Sequence, residues 1–288
     1  MLGWIHELGW PINMRFNFHI NTLMRWLAMA IVTLWLLMAI GAFFVGESAN
    51  QIDLAKLMAS GDAQRWLGYD ELGRPLFERL LLGAQTSLFV ALGVVTFSAL
   101  IGITIGTYSG YVGGWIDRVI VKIIDVFLAF PGLLLAIGLA AVLGPGIENV
   151  IIALVVVGWV GYARLARAQV LSLRHREHIQ AARALGVSQP VILRRHLLPL
   201  IAAPLGVEAT FGFAGAVISE AGLSFLGLGV QPPDASWGNM IREGTRYLLV
   251  APHLVIVPGV SLMLVVLAIN ILGDMARDKL DVKHQTKK

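Results

Sequence analysis

Six transmembrane helices in an all-α membrane protein are predicted from three features of this chain. Of 288 residues, 57% are hydrophobic and only 14% charged, against roughly a quarter charged in an average soluble domain. The apolar residues fall in continuous blocks long enough to cross a bilayer, which takes about 20 residues as a helix, and do not alternate as barrel strands would. Positive charge is concentrated in one interior segment, where seven Arg face one Glu between Arg164 and Pro199.

The first span is Trp26–Val45. No small-residue cleavage site followed by a hydrophilic domain interrupts it, so it reads as a retained span. The segment Gly46–Arg79 follows, with four basic against six acidic residues and short amphipathic pieces at Ile52–Met58 and Asp70–Phe77. Gly73 and Pro75 punctuate it, and it is too short for an independent domain, so it is expected to cap the helix ends or meet an external protein. The run Leu80–Tyr108 exceeds one span and is rich in Gly and Thr; it is expected to enter or leave the bilayer within the run. Gly102, Gly106 and Gly110 share a face at spacing four, as Gly212, Gly215 and Ala216 make a second small-residue surface, and such faces let helices approach closely in lipid.

Val126–Ile147 is the third span, kinked at Pro131, with Gly144-Pro145-Gly146 as the turn that follows. Asp117, Arg118, Lys122 and Asp125 lie at its entrance, where intrahelical pairing and anchoring are expected. Asn149–Gln169 and Leu197–Leu228 are the fourth and fifth spans, with polar interruptions, and Leu248–Leu272 is the sixth. The positive-inside rule puts the arginine-rich segment in the cytoplasm. Six spans then put both termini there and leave Gly46–Arg79 and Gly229–Tyr247 outside. The division expected is 1–83 for the first span and external loop, 84–274 for a five-helix core containing the basic loop 174–199, and 275–288 for a tail.

Few residues point to chemistry. The absence of cysteine excludes disulfides and thiol sites. His175 and His178 share a helical face, but a metal site needs a third ligand. There is no HExxH, nucleophile elbow or phosphate-binding glycine loop, so the chain is expected to be noncatalytic and to hold no cofactor. Glu208 and Glu220 are the ionisable residues of the fifth span, twelve positions or about 18 Å apart on a continuous helix. Either is a pathway or gate candidate if it stands at membrane depth.

The basic segment reads as two short helices. Arg176–Leu185 contains good helix formers, and Gly186 closes them through a left-handed cap. Ser188-Gln189-Pro190 then starts a second helix, Val191–Leu198, ending near Pro199. Ile179, Ala182 and Leu185 form an apolar ridge flanked by Arg176 and Arg183. Such a lug either lies on anionic lipid through its arginines or docks in a groove of a cytoplasmic protein.

At these residues the chain resembles the ABC importer permeases, whose coupling loop reads Glu-Ala-Ala, three residues, Gly, nine residues, Ile, one residue, Leu-Pro. Here Gln180-Ala181-Ala182, Gly186, His196 and Leu198-Pro199 keep the spacing, with Gln180 in place of Glu and His196 in place of Ile. The resemblance narrows to the dipeptide, oligopeptide and nickel permeases, in their DppC/OppC-like branch. It is carried by Leu67–Arg74 with Tyr69 at the usual Thr, by Glu220–Pro233 followed by Trp237-Gly238, and by Asn270–Asp274 with Arg277-Asp278 and Leu280-Asp281.

The resemblance implies the type I importer permease fold in a bacterial inner membrane. A second homologous permease would complete the path, two cytoplasmic ATPases would bind ATP and magnesium, and a periplasmic or lipid-anchored solute-binding protein would deliver cargo. It implies docking to the ATPases through Ile179, Gln180, Ala181, Ala182, Arg183, Leu185, Gly186, Leu198 and Pro199. Di- or oligopeptides are the expected cargo, with nickel, opines or glutathione-like solutes as the alternative. Beyond these proteins the partner is lipid, and no nucleic acid is expected. A secondary transporter would show paired repeats of broken helices, which this chain lacks, and a membrane enzyme would need a converging reactive set.

Overall fold

The computed structural model describes residues 12–61 and 65–285. Ten α-helices among the described residues run in the order α1 (Ile12–Gly41), α2 (Leu76–Val112), α3 (Gly114–Leu128), α4 (Gly132–Leu143), α5 (Ile147–Leu173), α6 (Glu177–Ala184), α7 (Gln189–Val191), α8 (Leu198–Phe225), α9 (Trp237–Thr245) and α10 (His253–Gln285). Among the described residues, five continuous helical segments are long and apolar enough to cross a membrane, and a sixth crossing exists if the bent pair α3–α4 counts as one.

Two expectations about the helices are corrected, and a third is sharpened. The glycine-rich run after Leu80 lies within one continuous helix, α2, of 37 residues, longer than a single span needs. Its glycines survive in helix because tertiary packing holds them. A methyl group added at Gly102, Gly106 or Gly110 would run into the backbone carbonyl oxygens of Trp159, Ala163 and Arg167 respectively, so α2 lies directly on the backbone of α5. The second small-residue surface is only partly a contact, since Gly212 faces the Tyr162 hydroxyl while Gly215 has open space beside it.

The third span is not a kinked helix. α3 and α4 meet at 86°. Pro131, with no N–H and a fixed φ, pushes the residue before it out of helical geometry and becomes the N-cap of α4. The turn at Gly144-Pro145-Gly146 forms as expected, with positive φ at both glycines, and the Asn149 side-chain amide donates to the last carbonyls of α4, those of Leu143 and Gly144, at 3.0 Å each.

The second lug helix does not end at Pro199. Helical structure continues from Gln189 to Phe225, through a π-helical turn at Ile192–Leu197 into α8, where Pro199 occupies the first turn. A proline lacks the N–H that the turn before it would otherwise satisfy, and the wider π turn accommodates its ring. The expected domain boundaries at 83/84 and 274/275 fall inside α2 and α10.

Two of the apolar clusters among the described residues organise the molecule. The larger joins α1, α2, α4, α5, α8, α9 and α10 around Trp35 and Trp237. The smaller sits at the opposite end, beneath α6, and packs Ile179 and Ala182 against Tyr111, Ile192, Leu197 and Ile201. One extremity, the loop end, holds residues 46–61, 65–75 and α9, and the other, the lug end, holds α6 and α7.

Candidate functional site

The lug is built as the spacing predicts, but its apolar face points the other way. Ile179 is fully buried and Ala182 6% exposed, whereas Leu185 is 83% exposed. Ile179 and Ala182 therefore anchor α6 to the body, and the free surface is made by Gln180, Ala181, Arg183, Ala184, Leu185 and Gly186, all exposed. The cause is the second core. Its partners arrive from the π turn that follows α6 by eight residues and from the end of α2, which is distant in sequence. Gly186 at φ +78° closes the helix with the paired bonds of a Schellman cap, Val187 N–H to Ala182 O and Gly186 N–H to Arg183 O, both 3.0 Å. Leu198 is half-buried and Pro199 exposed at the root.

Polar contacts brace this base. Gln180 donates from Nε2 to the His175 carbonyl at 3.0 Å, a bond an ionised glutamate has no proton to make. Arg183 donates from Nε to the Tyr111 hydroxyl at 2.9 Å and stacks its guanidinium 4.5 Å from that ring's centre; it thus braces α6 on the end of α2. Arg174 donates to the Gly110 carbonyl at 3.0 Å. Asp117, expected to pair within its own helix, instead receives both Nε and Nη2 of Arg167 at 2.6 and 2.7 Å, so the pairing ties α3 to α5. Such two-pronged contacts fix orientation as well as distance.

The two glutamates of α8 have separate surroundings. Glu220 is 1% exposed and accepts from Ser224 at 2.7 Å and from Ser87 of α2 at 3.1 Å; hydroxyls, not amides, satisfy it, and Ser224 in turn accepts the Val230 N–H. Glu208 lines a cavity of about 610 Å³ at the lug end, between α5, α8 and α10. The structure thus brings Glu208 to a solute-sized space and leaves Glu220 packed between helices.

A feature absent from the sequence reasoning occupies the loop end. Asp70, Arg74 and Arg79 are 4%, 3% and 1% exposed. Arg74 Nε meets Asp70 at 2.6 Å, and its Nη2 meets Glu71 at 3.1 Å and Glu243 of α9 at 3.5 Å. Arg79, in the first turn of α2, meets Asp70 at 3.3 Å and Glu243 at 3.9 Å, and donates to Asn50 Oδ1 and the Pro233 carbonyl at 3.2 Å each. Asp70 also accepts the N–H groups of Leu72 and Arg74, folding 70–74 into a tight loop whose Gly73, at φ +73°, lies on the Asp53 carbonyl. Burial, then the neighbouring Asp70 charge, holds the Glu71 carboxyl above the ordinary glutamate range. Asp70 and Arg74 at spacing four were the available signal; Glu243, 169 positions from Arg74, had none. Beside the network, Trp237 is fully buried, donates to the Leu80 carbonyl at 3.0 Å and lies on Gly83.

Residues 102–283 match the family described as binding-protein-dependent transport system inner membrane component. Over 257 residues, 89% of this chain and 84% of the relative, the sequence is 41% identical to the dipeptide transport system permease protein DppC of Alkalihalophilus pseudofirmus. It is 43% identical to the glutathione transport system permease protein GsiD of Escherichia coli, over 258 residues that cover 89% and 85% of the two chains. The fold is similar to that of a solved chain of the MetNI methionine ABC transporter in an inward-facing conformation, with TM-score 0.55 and 22% identity over 71% of this chain and 97% of that one.

Proposed function

The chain belongs to the family of binding-protein-dependent transport system inner membrane components, and from that premise we propose that it is the permease half of an importer for short peptides, glutathione-like tripeptides first and ordinary dipeptides second. As a member of that family it is a multi-pass, noncatalytic membrane subunit of an ABC importer. It works with a paired permease, two ATPase subunits that bind ATP and magnesium, and an extracytoplasmic solute-binding protein. The choice of cargo is supported by relatives over 40% identical along most of the chain, one named for dipeptide and one for glutathione transport.

The observation that carries the coupling role is the contrast within one helix, an exposed tip at Leu185 on a base sealed by Ile179 and Ala182. A tip that protrudes while its root is fixed transmits a push instead of absorbing it, which is what coupling two states through one element requires. The lug end faces the cytoplasm with both termini, and the loop end faces the binding protein. Gln180, Ala181, Ala184, Leu185 and Gly186 meet the ATPase, with Arg183 holding α6 to α2 from behind, and Leu198 and Pro199 form the root.

Leu185→Asp tests the coupling. In the assembled importer it should leave folding unchanged and abolish both binding-protein-stimulated ATP hydrolysis and uptake; normal stimulation would overturn the role. Ala182→Trp is a poorer probe, because Ala182 is buried and the change would disturb packing. For orientation, Ala184→Cys should react with an impermeant maleimide only in inside-out vesicles stripped of the ATPase subunits. For cargo, ATP-driven uptake of glutathione in reconstituted vesicles should exceed that of dialanine, and uptake of neither would remove the peptide reading.

A further inference from the structure

The cavity at the lug end has a charge pattern that selects among peptides. Its polar lining is Gln169 and Ser172 of α5, Arg176 just beyond it, Glu208 of α8 and Arg277 of α10, on walls of Leu, Val and Phe. Among the described residues neither arginine is paired with Glu208 or with any other carboxylate, and Asp274 and Asp278, which neighbour Arg277 on α10, do not line the space. Two guanidinium groups and one carboxylate thus face one volume with their charges uncommitted. Close by, Gly212, one turn beyond Glu208, faces the Tyr162 hydroxyl, which is buried with no hydrogen-bond partner.

Position along the helices gives the cavity a length. Leu200 and Arg176 stand at its mouth and Glu208 eight residues further up α8, about 12 Å at 1.5 Å per residue. Gly273 lies on Thr210 and Phe211, so Arg277, one turn nearer the lug, enters partway down. An extended tripeptide spans at most about 11 Å, and about 610 Å³ is within the usual range for small-ligand sites.

We propose that this cavity is an inner solute site for short peptides that carry two carboxylates and one ammonium group. The carboxylates bind Arg176 and Arg277, and the ammonium binds Glu208. A site of net charge +1 favours a solute of net charge −1, since a cationic solute would set an ammonium against a guanidinium. Glutathione has this charge composition, as does any tripeptide with one acidic side chain and free termini. The inference rests on the peptide-import reading and adds a selectivity that belongs to the permease itself.

The absence of cysteine from this chain makes the test direct. Ser172→Cys, and Gln169→Cys as a second position, are introduced into the assembled importer without binding protein or nucleotide, and the rate of maleimide labelling is measured with added peptide. S-methylglutathione and Ala-Ala-Glu should slow labelling at concentrations about tenfold lower than Ala-Ala-Lys, the discrimination expected of one charge-assisted contact, and Arg277→Gln should erase the difference. Equilibrium binding of radiolabelled S-methylglutathione to the unsubstituted importer should follow the same ranking. Equal protection by all three peptides, protection by none, or a cysteine sealed by a partner chain would overturn the site. ATP-driven uptake with binding protein present is followed in the same preparation. Peptide uptake without the ranking defeats the inner site alone, whereas accumulation of a non-peptide solute and no peptide defeats the functional reading beneath it.

Discussion

The loop end and the lug end of this molecule are held by different physics. At the loop end, the buried Arg74 and Arg79 share Asp70 and Glu243, Arg74 also holds Glu71, and the groups come from the loop before α2, from α2 itself and from α9. At the lug end, shape does the holding. Ile179, Ala182, Ile192 and Leu197 are packed out of solvent, and the polar braces are separate pairs, such as Arg183 with Tyr111 and Arg167 with Asp117, that share no member. Removing one member of a buried ion network strands the other charges, so such a network fails as a unit. Apolar packing fails in proportion to the volume lost. A junction between distant segments that must stay fixed suits the first construction, and an element that is to be pushed as a rigid piece suits the second.

The largest effect expected is therefore at Arg79. Arg79→Met should destabilise the protein by about 3–5 kcal/mol, visible as a lowered unfolding midpoint in detergent and poor recovery of folded protein. A shift below about 1 kcal/mol would mean that the loop end is held by Trp237 and its neighbours instead. Ile179→Ala should come next, at about 2–4 kcal/mol, with greater proteolytic sensitivity confined to 174–199; cleavage spread through α2 and α5 would erase the distinction between the ends. Tyr111→Phe keeps the ring under Arg183 and removes the hydroxyl. It should cost about 1 kcal/mol and leave the fold intact, while lowering the number of solutes imported per ATP hydrolysed. An unchanged ratio would make the brace irrelevant to coupling.

The smallest effect concerns pH. Because Glu71 takes up its proton more readily in the folded state than in the unfolded one, its contribution is present below the ordinary glutamate range and is lost as pH rises through its raised value. Glu71→Gln should thus gain stability relative to the parent as pH is raised across that window, read from paired unfolding curves. A constant difference between the two proteins would show that Arg74 compensates the charge.

Much of this architecture was legible in the chain, for reasons that mark where reading must stop. The spans were visible because bilayer thickness sets a length of apolar sequence, and Gly102, Gly106 and Gly110 announced a close helix contact because spacing of four keeps them on one side. Gly186 was readable as a cap since few other residues adopt its backbone conformation. The direction of Ile179 was not readable, because a ridge of three apolar residues is the same pattern whether its partner is another chain or this one. The 86° turn at Pro131 was seen only as a kink, since proline reveals that a helix is interrupted and says nothing of where the next one goes. In the sequence Gln180 reads only as a missing carboxylate, whereas in the fold its amide donates to the His175 carbonyl. At the loop end, the tight loop at 70–74 had local cues, but the carboxylate of Glu243 arrives from α9 and leaves no trace in the sequence around Arg74.

The helical stretch from Gln189 to Phe225 makes the lug's root, the wall of the cavity and the seat of Glu220 successive stations on one lever. At 1.5 Å per residue its 37 residues reach about 55 Å, so a tilt of about five degrees about the midpoint swings each tip by about 2.4 Å, in opposite directions. Pro199 and Glu220 lie on opposite sides of that fulcrum. On the proposed coupling, a stroke delivered at Pro199 would widen the geometry at one extremity as it narrows the other, with no residue in between having to relay a signal.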